Sequence, residues 1–163
     1  MTKQGRLAGS SGSTLEKVAI STLQSKGFEV VMYREWTKHP ERYGNELLLK
    51  NVPYTTIYKH QGHTEFLLQS EKHKIEIRIE CKWQQSGGSV DEKFPYLYLN
   101  CIERMPEQNI IIILDGAGAK AGGVQWLKDA CANKPYTNTT TASKSITVMD
   151  LAGFVTWANK TFR

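Results

Sequence analysis

The sequence predicts an α/β fold with a mixed central β-sheet flanked by helices. Three observations carry this. Residues Ile75–Trp83 (I-E-I-R-I-E-C-K-W) alternate apolar and charged without a break, the period-two pattern of a strand. Residues 109–114 (N-I-I-I-I-L) are apolar on both faces, as a strand covered on both sides must be. Helical patterns separate the later strands, which sets those strands parallel, while a hairpin over residues 64–83 sets two antiparallel.

In chain order, residues 1–12 are polar, basic and rich in Gly and Ser, and are expected to form a flexible tail before a single domain over 13–163. Ser13 or Thr14 caps a helix running to about residue 26, and Gly27 stops it. Leu15, Val18, Ala19, Thr22 and Leu23 give that helix one apolar face. Residues 28–33 read as a strand and 34–46 as a polar, basic loop containing Trp36 and Tyr43. Residues 47–49 and 54–58 are short strands, with Pro53 marking a break between them. The hairpin has arms at 64–69 and 74–83 and a turn at 70–73.

Residues 84–88 form a loop. Ser89 followed by Glu92 is a capping-box pattern, which predicts a helix over 90–105. The strand at 109–114 leads into a glycine-rich loop (D-G-A-G-A-K-A-G-G), then a helix over 124–132 with Trp126 and Leu127 inward. A Thr-rich loop, a strand over 145–149 and a helix over 151–160 complete the chain. The glycine-rich loop matches neither of the common phosphate-binding patterns and reads as a turn. No internal repeat is present.

A chain of 163 residues is long enough for one domain with its own core. No apolar run approaches the ~20 residues of a membrane span, and the first residues lack the apolar stretch of a secretory signal. The three cysteines, Cys81, Cys101 and Cys131, are odd in number and widely spaced. They read as small core residues of a protein kept in a reducing, cytoplasmic interior. The net charge of +5 favours polyanionic partners, DNA among them.

The chemistry concentrates on the alternating strand. Glu80 and Lys82 stand two residues apart on one face, and Glu65 lies on the preceding arm, placed to face Glu80 across the ladder. A plain reading is an exposed sheet face with cross-strand charge pairs, and both residues are expected on the solvent side, with Cys81 in the core. The sharper reading rests on the order of elements: a helix, a meander of strands with an acidic residue, a strand ending in Glu80-Cys81-Lys82, then a helix and a strand. In this the chain resembles the PD-(D/E)xK nuclease superfamily, the group of many restriction endonucleases and Holliday junction resolvases. A second such triplet, Asp91-Glu92-Lys93, opens a helix with no strand before it. The superfamily usually has aspartate, often after proline, where this chain has Glu65 after Thr64.

The resemblance implies a restriction-endonuclease-like core and a DNA endonuclease. Glu65 and Glu80 would bind Mg²⁺, with Mn²⁺ as a substitute, and the Cys81 carbonyl would supply a further ligand. Lys82 would bond the attacking water or the phosphate. Glu16 matches the first-helix glutamate of many members and, with Gln84, would support the site. The chemistry fits these residue types, because hydrolysis of a phosphodiester adds negative charge at phosphorus that a divalent cation stabilises. Mg²⁺ asks for hard oxygens and keeps several waters, so one or two carboxylates suffice.

Arg34, Lys38 and Arg42, together with His63, Lys93 and Lys120, are candidates for DNA phosphates, and Trp36 or Tyr43 for stacking on a base. Each is also read as an ordinary solvated or packed side chain, and for Lys93 that plain reading is preferred. His60 and His63 have a zinc-compatible spacing but no partner cluster. The expected assembly is a homodimer, since two-fold symmetry suits cutting both strands. Two rivals stay open: a Holliday junction resolvase built on the same core, and an inactive nucleic-acid-binding module.

Overall fold

The computed structural model describes residues 3–85 and 91–163, with side chains from residue 14 onward. Helix α1 (Lys3–Gln24) leads to β1 (Glu29–Met32), a short helix α2 (Tyr33–Trp36), and the strands β2 (Glu46–Thr55), β3 (Gln61–Ser70) and β4 (Ile75–Trp83). Then follow α3 (Phe94–Glu103), β5 (Asn109–Asp115), α4 (Ala121–Asn133), β6 (Ser145–Met149) and α5 (Leu151–Thr161). The six strands form one sheet in chain order. β2, β3 and β4 pair antiparallel, and β1–β2, β4–β5 and β5–β6 pair parallel. The mixed α/β sheet expected from the sequence is what forms.

Alternation sorts the side chains onto two faces. Ile77, Ile79 and Cys81 join Phe66, Leu68, Ile111 and Ile113 under α1 and α5. Ile110, Ile112 and Leu114 face the other way, under α3 and α4, with Phe94, Cys101 and Leu127. All three cysteines are free and buried. Lys144, also buried, donates to the carbonyls of Cys101 (2.9 Å) and Met105. It thereby satisfies orphan groups at the C-terminal end of α3.

Several local expectations are corrected. The first helix begins at Lys3 rather than near residue 13. No proline interrupts that segment, and extending a helix needs no new nucleus. The capping box falls partly on Ser89, which lies outside the described residues. Among those that follow, a 3-10 turn at Asp91–Lys93 precedes α3, which starts at Phe94. Pro95 explains this: it is tolerated in the first turn but not inside a helix begun five residues earlier. Pro53 does not end a strand, since β2 runs through it. β1 pairs only with residues 47–50, so beyond them β2 has a free edge, where a missing N–H is harmless. Trp126 is 39% exposed, its ring meeting Tyr98 edge-on, while Leu127 alone is fully buried.

The larger correction concerns the charged stripe of β4. Glu76 at its start is exposed, but from Arg78 onward the stripe turns inward. Arg78 is 2% and Glu80 5% exposed, because α3 and α4 cover that face as well. Arg78 forms a two-point ion pair with Glu107 (Nη2 to Oε1, 2.9 Å). It also donates to the Val52 carbonyl (3.2 Å) and the Thr64 hydroxyl (3.0 Å) and lies over the Tyr54 ring. A buried charge removed from such a pair leaves the other stranded. Arg78→Met should therefore lower unfolding stability by about 3–5 kcal/mol. Urea unfolding should show it as a lower midpoint at unchanged slope, largely restored by adding Glu107→Leu.

Candidate active site

The site forms where the sheet loses its regularity. β3 and β4 pair from Ser70↔Ile75 to Phe66↔Ile79 and then part. Continued by one step, that register would set Glu65 opposite Glu80. On the other side, the β2–β3 ladder lacks the pair that would join Asn51 to Glu65, and Asn51 has a left-handed φ of 56°. Alternation breaks at the same place. Phe66 packs under α1, while Thr64, two residues before it, bonds Arg78 on the opposite face. Glu65 thus sits at a switch between the two faces. Its Oε2 accepts the Cys81 N–H at 2.7 Å, a side chain filling the place that the ladder vacates.

Glu80 and Lys82 lie on the α3 side, beyond this gap. The Lys82 ammonium donates to Glu80 Oε1. The other oxygen of Glu80, Oε2, is buried and has no hydrogen-bond partner, a costly state for an anionic oxygen. Burial and the nearby charge of Glu80 push the Glu65 carboxyl up to about 7, against the opposing pull of the Cys81 N–H and Lys82. Burial lowers the pKa of Lys82. The charge and hydrogen bond of Glu80, with the charge of Glu65, outweigh that and hold it above the usual lysine value. Lys82 is thereby kept as a cationic hydrogen-bond donor.

Glu16 on α1 shares a cavity of about 290 Å³ with Glu65, Lys50, Asn51 and His63. Its carboxyl is raised by burial and then by Glu65, with Lys50 opposing. A second cavity, of about 280 Å³, contains Glu80, Lys82 and Lys93, and His63 lines this one too. The structure thus brings Glu16, Glu65, Glu80, Lys82, His63 and Lys93 around two adjoining cavities. Lys50 was missed by sequence reasoning, although it ends the run L-L-L-K on a strand neighbouring Glu65's.

The remaining candidates lie elsewhere. Gln84 is tied by its backbone to the loop after β5: its N–H reaches the Asp115 carbonyl (3.0 Å), and its carbonyl accepts from Gly118 (2.8 Å). Gly116 permits this, with φ of 101° and no room for a Cβ, which would sit 2.1 Å from the Gln84 oxygen. Lys120 is exposed, 3.9 Å from Asp91. Arg34 and Lys38 bond Glu35, and Arg42 sits beside Glu41. None of those three lines either cavity, and Trp36 and Tyr43, half-buried against the β1–β2 core, line a separate cavity of about 380 Å³.

Among the described residues, no group of three or more His, Cys, Asp or Glu side chains is clustered as a metal cage. The donor set nonetheless fits a hard cation with few protein ligands. Two carboxylates repel each other across a gap, and one of their oxygens is buried without a partner. Burial and the surrounding carboxylates push the Cys81 thiol far up, so that residue can offer oxygen but not thiolate.

A protein-family model, that of the PD-(D/E)XK nuclease superfamily domain, matches residues 7–162, nearly the whole chain. No curated protein and no solved structure matches it. No helix among the described residues is long and apolar enough to cross a membrane. The six-stranded mixed sheet and the Glu80-Cys81-Lys82 strand end agree with the family match: this chain belongs to the PD-(D/E)XK nuclease superfamily, whose activity is of nuclease type.

Proposed function

We propose that the protein is a Mg²⁺-dependent DNA endonuclease, acting as a two-fold dimer when it cuts both strands. One observation carries the reading: the buried, unpartnered Oε2 of Glu80 beside a Glu65 carboxyl whose pKa is raised by burial and by Glu80. A divalent cation held by Glu65, Glu80 and the Cys81 carbonyl would supply charge neutralisation at the phosphate and a more acidic bound water. Glu65 is fixed at one oxygen by the Cys81 N–H, which leaves the other available. Lys82, kept protonated by Glu80, donates to the phosphate or to the attacking water and so orients it. Glu16 and Lys50 extend the polar wall behind Glu65, and exposed His63 and Lys93 offer phosphate contacts at the mouth. A module that only bound DNA would gain by losing two carboxylates that repel phosphate.

In a plasmid-nicking assay with Mg²⁺, Glu80→Gln and Lys82→Met should each cut at least ~100-fold more slowly, and EDTA should stop the wild type. Glu80→Gln should leave the melting temperature at pH 8 little changed, since an amide oxygen can still accept from Lys82 while the charge on the buried, unmet side of the group is removed. Loss of folding there, or no metal-dependent cutting of any duplex, single-stranded or branched DNA, would sink the reading.

The raised Glu65 carboxyl gives a pH signature. The folded protein keeps its proton up to about pH 7, whereas the unfolded chain releases it near 4.5. Metal-free stability should therefore fall as pH rises from about 4.5 to 7 and level off above. Divalent-metal affinity, which needs the ionised carboxylate, should rise across the same window. Glu80→Gln should shift both curves to lower pH, measurable by calorimetric titration and melting curves.

A further inference from the structure

The cavity on the α3 side holds more than Glu80 and Lys82. Asn100, 0% exposed, and Thr56, 5% exposed, both line it. The Asn100 Oδ1 accepts the Ile57 N–H at 2.9 Å, which fixes the amide's orientation. Its Nδ2 and the Thr56 Oγ1 have no hydrogen-bond partner. Buried donors are seldom left unmet, and two lining one cavity mark a place built for a polar occupant. The volume of about 280 Å³ is many times the ~30 Å³ share of a water molecule, so one water does not fill it.

The walls suit a flat ring. Tyr54, Tyr96 and Leu97 line the same space. Tyr96 stacks on Tyr58, with centroids 4.9 Å apart and an interplanar angle of 26°, and Tyr58 is 64% exposed at the rim. Gly62 keeps the space open. A Cβ there would lie 2.8 Å from the Thr56 methyl and 3.1 Å from the Tyr54 ring, driving both side chains aside. The unmet groups are a neutral amide and a neutral hydroxyl, which suit the acceptor edge of a base rather than a phosphate.

We propose that this cavity receives one unstacked nucleobase of the substrate, so that the favoured DNA carries an unpaired nucleotide beside the phosphate held at Glu80 and Lys82. This rests on the nuclease reading of those two residues. A base within a continuous duplex stack cannot enter such a pocket. A bulge, gap edge, flap or junction arm offers one at little unstacking cost. Tyr96 supplies the stacking face, and Thr56 Oγ1, which turns from the wall into the cavity by rotation of its side chain, reads the base edge.

The test is equilibrium binding by fluorescence anisotropy, with Ca²⁺ replacing Mg²⁺. A fully paired duplex is compared with the same duplex carrying a single unpaired 2-aminopurine. The unpaired form should bind about 10-fold tighter, and the 2-aminopurine emission should change on binding. Tyr96→Ala and the isosteric Thr56→Val should each cut the preference to under ~2-fold while leaving affinity for the paired duplex unchanged. Equal affinity of the wild type for both DNAs, or a preference that survives in both folded variants, overturns the proposal. Plasmid nicking in Mg²⁺ separates the two readings. Cutting without the preference removes the base pocket alone, and the preference without cutting removes the nuclease reading alone.

Discussion

A charged stripe on a strand that is covered on both faces has to be neutralised residue by residue, and the rest of this structure follows from how that is done. Arg78, Glu80 and Lys82 share the face of Ile110, Ile112 and Leu114, which α3 and α4 cover, with Lys82 at its margin and a third exposed. Arg78 is fully met, by Glu107, Thr64 and the carbonyls of β2. Lys82 is met by Glu80. Glu80 is met at one oxygen only. Going along the strand, the stripe passes from complete satisfaction to a deliberate deficit, and the deficit lies where the sheet opens.

Arg78 is bonded on both sides of the opening. The guanidinium holds the carbonyl of Val52 and the hydroxyl of Thr64, which flank the unpaired Asn51 and Glu65 positions. The ion pair thus sits next to the gap at which Glu65 is bonded to Cys81 instead of to a ladder partner. Stability and site geometry meet at this buried charge.

The crowding of Glu16, Glu65 and Glu80 shows the opposite economy. Both carboxyls with raised values owe the shift first to burial and then to a neighbouring carboxylate. Such arrangements are poor for the empty fold and good for a cation. The same holds on a smaller scale for Asn100 and Thr56, buried with unmet polar atoms on the wall of the adjoining cavity. Unmet polarity in this protein gathers around one end of β4.

The period of Ile75–Trp83 and the two-sided apolarity of residues 109–114 were enough to place the hairpin and the central strands, because alternation and burial are local properties of a strand. The helix starts at Lys3 and Phe94 and the short helix Tyr33–Trp36 were not legible in them. The pairing of Glu80 with Lys82 on one face was legible for the same reason. What the sequence left undecided was which side of the sheet was wet. A charged stripe looks alike whether it meets water or a helix, so the burial of Arg78 and Glu80 needed the position of α3. Likewise, the break at Asn51 and Glu65 shows only in the pairing of separate strands, and Arg78 beside it is bonded to Glu107, distant in sequence. Asn100 and Thr56 meet only when α3 packs on the β2–β3 turn. Local pattern determined the hairpin and the central strands, among them the strand that carries the chemistry. Long-range packing decided which charges lie in the dry interior, and therefore which of them are left wanting a ligand.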